Sequence, residues 1–346
     1  MSHDVFLPPE WAPQSAVMLT WPRRDGDFAH VFDAVEANFF AIAVAIARFE
    51  NLHVNVNSDA GTLQARLIGA GVPAQRLRIF ELPNDDVWAR DHGPITVARD
   101  GRLVHLDFRF NGWGGKFAAE RDDALTRGLV ELGAWNAPVE SINFILEGGG
   151  IEVDGAGSLL TTERCLLAKT RNPQFDRAGI EETLKHALGV RRILWLRHGD
   201  LLGDDTDGHI DTVARFCSTS TIAYQACDDR GDAHFEDLAA MAAELAALTR
   251  PDGEPYRLVP LPLPHALYDE ADGRRLPAGY ANFLILNGAV LVPIYGDEVN
   301  DAIALERLRP CFPGREVIGI DCSTLIRQYG SLHCVTMQIP RAPESA

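Results

Sequence analysis

The feature that most constrains this 346-residue chain is a hairpin signal that recurs along it, each time with polar, chemically capable residues just ahead. Pro94–Ala98 and Arg102–Phe108 are strand-like runs separated by Asp100-Gly101. Gly150–Val153 and Ser158–Thr162 flank a turn begun by Asp154-Gly155, Thr212–Cys217 and Thr221–Gln225 flank Ser218-Thr219-Ser220, and Ala281–Leu286 and Ala289–Tyr295 flank Asn287-Gly288. Asp-Gly and Asn-Gly suit such turns because a type I′ turn needs positive φ at both central residues. A last apolar run, Leu332–Ile339, predicts a strand near the C-terminus. Ahead of these runs stand Asp91, Glu147, His209 with Asp211, Asn282, and His333-Cys334. The steps from Asp91 through Glu147, His209 and Asn282 to Cys334 are 56, 62, 73 and 52 residues. This spacing predicts five β-rich modules delivering side chains to one shared end, as propeller-like folds do.

Helical periodicity falls between the hairpins, over Phe28–Phe49 and Phe235–Leu248, with shorter candidates at Thr183–Leu188 and Ala302–Leu308. Pro251–Pro264 reads as a Pro-rich surface loop. With no low-complexity tract or linker, residues 1–346 are expected to form a single α/β domain.

The net charge of −17, from 32 Lys+Arg against 49 Asp+Glu, opposes binding to nucleic acid or anionic membrane and is compatible with a cationic substrate. None of the six cysteines forms a Cys-x-x-Cys pair, which removes the usual zinc and redox signatures. The first ten residues lack a basic and apolar leader, and the most apolar stretch, Ala41–Ala47, is too short to span a bilayer. A reducing, cytoplasmic setting is expected, and a homodimer or higher homo-oligomer is compatible.

Four clusters carry chemistry. Tyr329-Gly-Ser-Leu-His-Cys334 places a cysteine after a glycine turn, where it is either a buried structural residue or a nucleophile. Gly203-Asp-Asp-Thr-Asp-Gly-His209-Ile-Asp211 packs four aspartates and a histidine into eight residues. It is an acidic loop, a divalent-metal site, or the base that a nucleophilic cysteine needs. If Ile210 points inward on a strand, His209 and Asp211 share the other face. Asp85-Asp86-Val-Trp88-Ala-Arg90-Asp91 aims Asp91 into a cleft or pairs it with Arg90. Glu147-Gly-Gly-Gly150 lets the backbone approach a neighbour closely. A Gly/Trp loop, Asn111-Gly-Trp113-Gly-Gly-Lys116, is placed to cover a site. Together, a cysteine, a histidine and several acids suit a planar cation such as guanidinium, whose N–H edges two carboxylates can grip.

In this ordered set the chain resembles the peptidylarginine-deiminase-like family of the guanidine-modifying superfamily. The resemblance runs from Trp11-Ala-Pro-Gln-Ser-Ala-Val-Met-Leu-Thr-Trp21-Pro22 through Trp88-Ala-Arg90-Asp91, Asn111-Gly-Trp113, Glu147-Gly-Gly, Arg171-Asn-Pro173, Asp205-Thr-Asp-Gly-His209-Ile-Asp211 and Asn282-Phe to His333-Cys334. It implies a five-bladed α/β propeller (pentein) of ββαβ modules and a hydrolase that needs no metal or cofactor. By this resemblance Cys334 is the nucleophile and His209 the general acid/base. Asp91 and Asp211 hold the guanidinium, and Glu147 orients His209. Trp88 and Asp205 line the site and face the distal amine of the substrate, with Trp113 a further pocket residue. The implied reaction passes through a covalent thiouronium on Cys334; with agmatine it yields N-carbamoylputrescine and ammonia. Deimination of free or peptidyl arginine, or amidino transfer on the same intermediate, are its chemical neighbours. The chain departs from the family pattern where Tyr329 replaces a glycine and Ser331 fills a variable position, so the far end of the substrate is where it is expected to differ.

Overall fold

Asp100 and Gly101 adopt φ of 49° and 76°, the left-handed pair that a two-residue hairpin requires. They join Ile95–Arg99 to Arg102–Arg109, which pair antiparallel. The chain then crosses through the helix Asp122–Glu131 and returns as Val139–Ile145, parallel to the second strand. A parallel neighbour cannot be reached by a tight turn, so the helix is the connection this pairing demands. The computed structural model describes residues 5–342, and the same unit recurs in it. Residues 1–4, the start of the stretch read for a leader, lie outside the described residues, as do residues 343–346.

Glu152–Val153 and Ser158–Thr162 pair antiparallel, and the helix Arg177–Leu188 leads to the parallel strand Arg192–Leu196. Ala214–Ser218, Thr221–Gln225, the helix Phe235–Ala247 and Arg257–Leu261 repeat the pattern. So do Leu284–Ile285, Ala289–Ile294, the helix Glu298–Leu308 and Glu316–Asp321. In the remaining sheet the chain ends meet. The C-terminal strand Thr336–Pro340 pairs antiparallel with Gln14–Thr20, which has Leu52–Val56 and then Leu77–Glu81 as parallel neighbours. Val5–Phe6 adds to the edge of Ile95–Arg99. The described residues thus form a mixed α/β fold of five small sheets.

Several expectations are corrected. The Pro-rich segment is not all loop: Arg257–Leu261 is a strand whose Val259 and Leu261 are buried, and Pro260 is tolerated at the edge of its sheet. The outer parallel strands Val139–Ile145, Arg192–Leu196 and Glu316–Asp321 alternate poorly because they are only partly buried. Helices Ala60–Gly69 and Asp122–Glu131 bury few residues, which weakens their apolar stripe. The helix read over Thr183–Leu188 starts earlier, at Arg177, where the Asp176 carboxylate caps the Gly179 N–H. Of the last apolar run only residues 336–339 are strand, part of Thr336–Pro340, and Asp211 lies on the 3₁₀ turn Ile210–Thr212, with His209 just before it, rather than on a strand.

The helix Phe32–Ala47 buries Phe32, Val35, Phe39, Ile42, Ala43 and Ile46, one stripe at helical spacing. With the turn before it, the helical run Ala29–Ala47 is 19 residues, longer than the apolar stretch read from sequence. By length and composition it could cross a membrane; half of its most apolar window is buried inside the protein, as in a core helix.

Truncating Ile42, fully buried on this helix, to Ala is expected to lower unfolding stability by ~2–5 kcal/mol, measured by urea denaturation.

Candidate active site

Each module brings its chemical residues to the backbone turn just before its first strand. Asp91 sits in the short helix Ala89–His92, ahead of Ile95–Arg99. Glu147 precedes the turn Gly148–Gly150, and Asp211 lies in the turn Ile210–Thr212, with His209 immediately before it. Asn282 and Cys334 each lie two residues ahead of a strand. Such turns are free of ladder pairing, so their side chains turn inward while the strands behind hold them rigid.

Cys334 is 3% exposed. Its Sγ lies 3.4 Å from Asn282 Oδ1 and 3.9 Å from Asp211 Oδ2. The Asn282 oxygen also accepts the His333 backbone N–H at 2.9 Å, fixing the turn that carries the sulfur. Burial and the carboxylates of Asp211 and Asp91 push the thiol well above its usual range. Cys334 therefore rests as a thiol, and a cation arriving between those carboxylates would favour the thiolate.

Asp91 accepts the Gly149 N–H on Oδ1 at 3.0 Å and the Trp113 indole N–H on Oδ2 at 2.9 Å. Its Oδ1 is 3.6 Å from His209 Nδ1. Burial, opposed by His209, raises its carboxyl to about 6. Gly149 explains the glycine run. A Cβ there would lie 2.6 Å from His209 Nδ1, 2.9 Å from Asp91 Oδ1 and 3.2 Å from Asp211 Oδ1. The three side chains meet over the space that glycine leaves empty.

His209 is fully buried, and neither ring nitrogen has a hydrogen-bond partner among the described residues. Burial favours the neutral ring, but Asp91, Cys165 and Glu147 outweigh it and push the imidazole up to about 10. Cys165, invisible to sequence reasoning as one of several ordinary cysteines, lies against this ring. Glu147 also lies beside His209, yet its hydrogen bonds go elsewhere: both carboxylate oxygens take the Arg171 Nε–H, at 2.9 and 2.8 Å. Arg171 continues to Asp207 and the Thr206 carbonyl. Glu147 therefore acts on His209 through charge. Glu147, Cys165 and His209 form one group able to offer metal ligands, and Glu10, Glu152 and His333 another. In each, an arginine already occupies a carboxylate, Arg171 in the first and Arg215 in the second, and a metal ion would have to displace it. Asp205 and Asp211, read with His209 as an alternative metal set, go to separate partners, Lys116 and His333.

Cys334 and Asp91 open onto a cleft of ≈ 400 Å³ lined also by Asp27, Asp86, Trp88, Trp113, Phe117, Asp205, Tyr329 and Gly330. Every charged residue in that lining is acidic. Trp88 packs so tightly on Gly330 that a Cβ there would lie 2.2 Å from the indole. Tyr329 takes φ of 73°, the left-handed form its replaced glycine would adopt freely, and Arg274 stacks 4.4 Å over its ring. Trp113, also left-handed at φ 53°, reaches the site as a donor to Asp91. Asp205 sits at the cleft, with Lys116 Nζ 3.1 Å from its Oδ1. Sequence reading did not assign roles to Asp27 or Phe117, which no motif flags, or to Asp86, which it read only as part of the Asp91 cluster.

Gly149→Ala is expected to cut turnover ~10²-fold by displacing His209 and Asp91 while leaving the melting temperature within a few degrees. If Asp91 grips a cation as its carboxylate and His209 donates a proton as imidazolium, both must be ionised. The pH profile of kcat/KM is therefore expected to fall about tenfold per unit below about 6 and again above about 10; a flat profile between pH 5 and 7 would contradict this.

A family model described as Porphyromonas-type peptidyl-arginine deiminase matches residues 6–340. An agmatine deiminase of Stutzerimonas stutzeri is 36% identical over 357 aligned residues, covering 97% of this chain and 95% of the relative. The structure of a cysteine-to-serine variant of C. jejuni agmatine deiminase with substrate bound superposes with a TM-score of 0.90 at 34% identity, covering 98% of this chain and 97% of that one. A Porphyromonas gingivalis structure, described provisionally as an arginine deiminase, has a TM-score of 0.91 at 53% identity, covering 98% and 99%. With its fold, its motifs and nearly its whole length matched, the chain belongs to the Porphyromonas-type peptidyl-arginine deiminase family.

Proposed function

We propose that this chain is an agmatine deiminase, hydrolysing agmatine to N-carbamoylputrescine and ammonia. The observation that carries this reading is a buried thiol between two carboxylates at the end of a cleft whose charged lining is entirely acidic. Such a cleft suits a substrate cationic at both ends.

Asp91 and Asp211 hold the guanidinium edges and set its carbon over Cys334 Sγ. The added positive charge offsets the carboxylates that keep the thiol protonated, and the sulfur attacks. His209, as imidazolium, gives its proton to the departing ammonia. The neutral imidazole then takes a proton from water, whose oxygen attacks the amidino carbon; the C–S bond breaks and the ureido product leaves. Glu147 supports the His209 charge from behind, and Trp113 orients Asp91. At the far end Trp88, Tyr329 and Asp205 meet the aliphatic chain and amine, with Asp27 adding negative charge and Asp86, raised by burial to about 7, partly protonated. Similarity to agmatine deiminases over nearly the full length supports the substrate.

The match to the P. gingivalis protein favours free arginine as a second reading; that substrate would bring a carboxylate against an acidic wall. A panel of agmatine, arginine, a capped arginine peptide and methylated arginines, scored for ureido product and ammonia, separates these. Formation of a new guanidine compound in place of ammonia would instead reveal amidino transfer.

We also propose that the five sheets close as a five-bladed propeller, supported by their shared connectivity and by the pairing of the terminal strand with Gln14–Thr20. The six free cysteines fit a reducing cytoplasm. Cys334→Ser is expected to lower ammonia release from agmatine on the order of 10³-fold or more with binding retained; full activity in this variant would remove Cys334 as nucleophile.

A further inference from the structure

Behind Cys334, beyond Asp211, lie two buried groups that the steps above do not use, His333 and Glu10. His333 Nδ1 is 2.7 Å from Asp211 Oδ2, and His333 Nε2 is 2.7 Å from Glu10 Oε2. The ring is 1% exposed. Two contacts this short between ring nitrogens and carboxylates call for two N–H protons, and a neutral imidazole supplies one. Burial, Arg215 and Arg90 hold His333 below its usual range, which favours a neutral ring in which one of the two contacts lacks its proton. The Asp211 oxygen that meets His333 is the same one that lies 3.9 Å from Cys334 Sγ.

Meanwhile the Cys334 thiol must lose a proton before its sulfur can attack, and His209 is raised to about 10. At neutral pH His209 already carries both ring protons and cannot take a third.

We propose that Asp211, His333 and Glu10 form the acceptor chain for the Cys334 thiol proton. The inference rests on the reading of Cys334 as nucleophile. The Sγ–H bond breaks and its electron pair forms the S–C bond to the amidino carbon. The proton passes to Asp211 Oδ2 and on to His333 Nδ1, making an imidazolium that donates from Nε2 to Glu10 and from Nδ1 to Asp211. When the C–S bond breaks at the end of the cycle, the pair returns to sulfur and the proton comes back along the same path. No outside acid, base or redox partner is consumed.

The carboxylates of Glu10 and Asp211 favour a transient imidazolium at His333, while Arg215 and Arg90 oppose it. Arg215 Nη2 is 2.5 Å from Glu10 Oε2 and its Nε binds Glu152; Arg90 Nη2 is 4.0 Å from Glu10. Glu10, Glu152 and Asp211 thus face the two arginines, with Asp91 and His209 on the other side of Asp211. Glu10 comes from the N-terminal segment, ahead of the strand Gln14–Thr20, and meets the site through His333.

The test is the rate of Cys334 alkylation by chloroacetamidine against pH, followed by mass spectrometry, in the native chain, Glu10→Gln and His333→Asn. With the acceptor chain cut, the thiol can lose its proton only to bulk water, and the midpoint of the profile is expected to move up by ~1 pH unit or more. Ammonia release should fall at least about tenfold, with partial recovery in Glu10→Asp. If Glu10 acted only as a nearby negative charge, removing it would ease ionisation of the thiol and move the midpoint down. A downward or absent shift in folded variants overturns the proposal. Folding is checked by thermal melting, and should one variant not fold the other decides. A native chain that is alkylated at Cys334 yet leaves agmatine untouched would overturn the substrate reading alone; labelling at another residue would overturn both.

Discussion

A single buried guanidinium, that of Arg215, ties together the parts of the chain that must meet at the site. It is fully buried on Ala214–Ser218 and bonds Glu10 from the N-terminal segment, Glu152 from another sheet, and the carbonyl of Phe283. Its guanidinium also stacks 4.8 Å over the Phe283 ring. Taking such a charge out of water is costly, and only close pairing on every side offsets it. Removing one partner would leave the other ionised and buried, at ~3–5 kcal/mol. The pairing therefore acts as a register pin. It fixes Glu10 against His333, and through His333 it fixes Asp211. Through Phe283 it fixes the neighbouring Asn282, which holds the Cys334 turn.

The site in front of this pin is held ready by opposed charges in a poorly solvated space. Asp91 and Asp211 keep the thiol protonated, and Asp91, Cys165 and Glu147 keep His209 charged; in the proposed reaction these are the quiet nucleophile and the proton donor. The ligand that switches this balance must itself be a cation, because only a positive charge between the two carboxylates lowers the cost of a thiolate there. In the proposed reaction, selectivity for guanidinium would lie in the electrostatics of activation as well as in hydrogen bonding. The loop carrying Trp113 and Lys116 adds to this, with the indole on Asp91 and the ammonium on Asp205 and Asp207.

Much of this was legible in the residues. Asp100-Gly101 marked a hairpin because its φ angles admit few other dipeptides. The placement of Asp91, Glu147, His209, Asn282 and Cys334 just ahead of strands survived into the structure, because a turn before a strand is the one place where the backbone is both free and anchored. Less was legible where burial is partial. Arg257–Leu261 looked like loop because it carries Pro260 and because Arg257 and Pro260 are exposed. Ala60–Gly69 lacked a stripe because only Leu63 and Leu67 are buried.

The sequence by itself determined the chemical inventory: a thiol, an imidazole and several carboxylates, spaced so that each module offers one set. It also determined local turns, since those depend on residues adjacent in the chain. Only the tertiary structure decided which atoms face one another. Glu147, assigned to His209, spends its hydrogen bonds on Arg171, while Cys165 lies against the imidazole and Glu10, 323 residues from His333, reaches its ring. The physical reason is range. Dihedral preferences act over a few residues, whereas the pairing of buried charges depends on the packing that brings distant segments within 3 Å and excludes the water that would otherwise screen them.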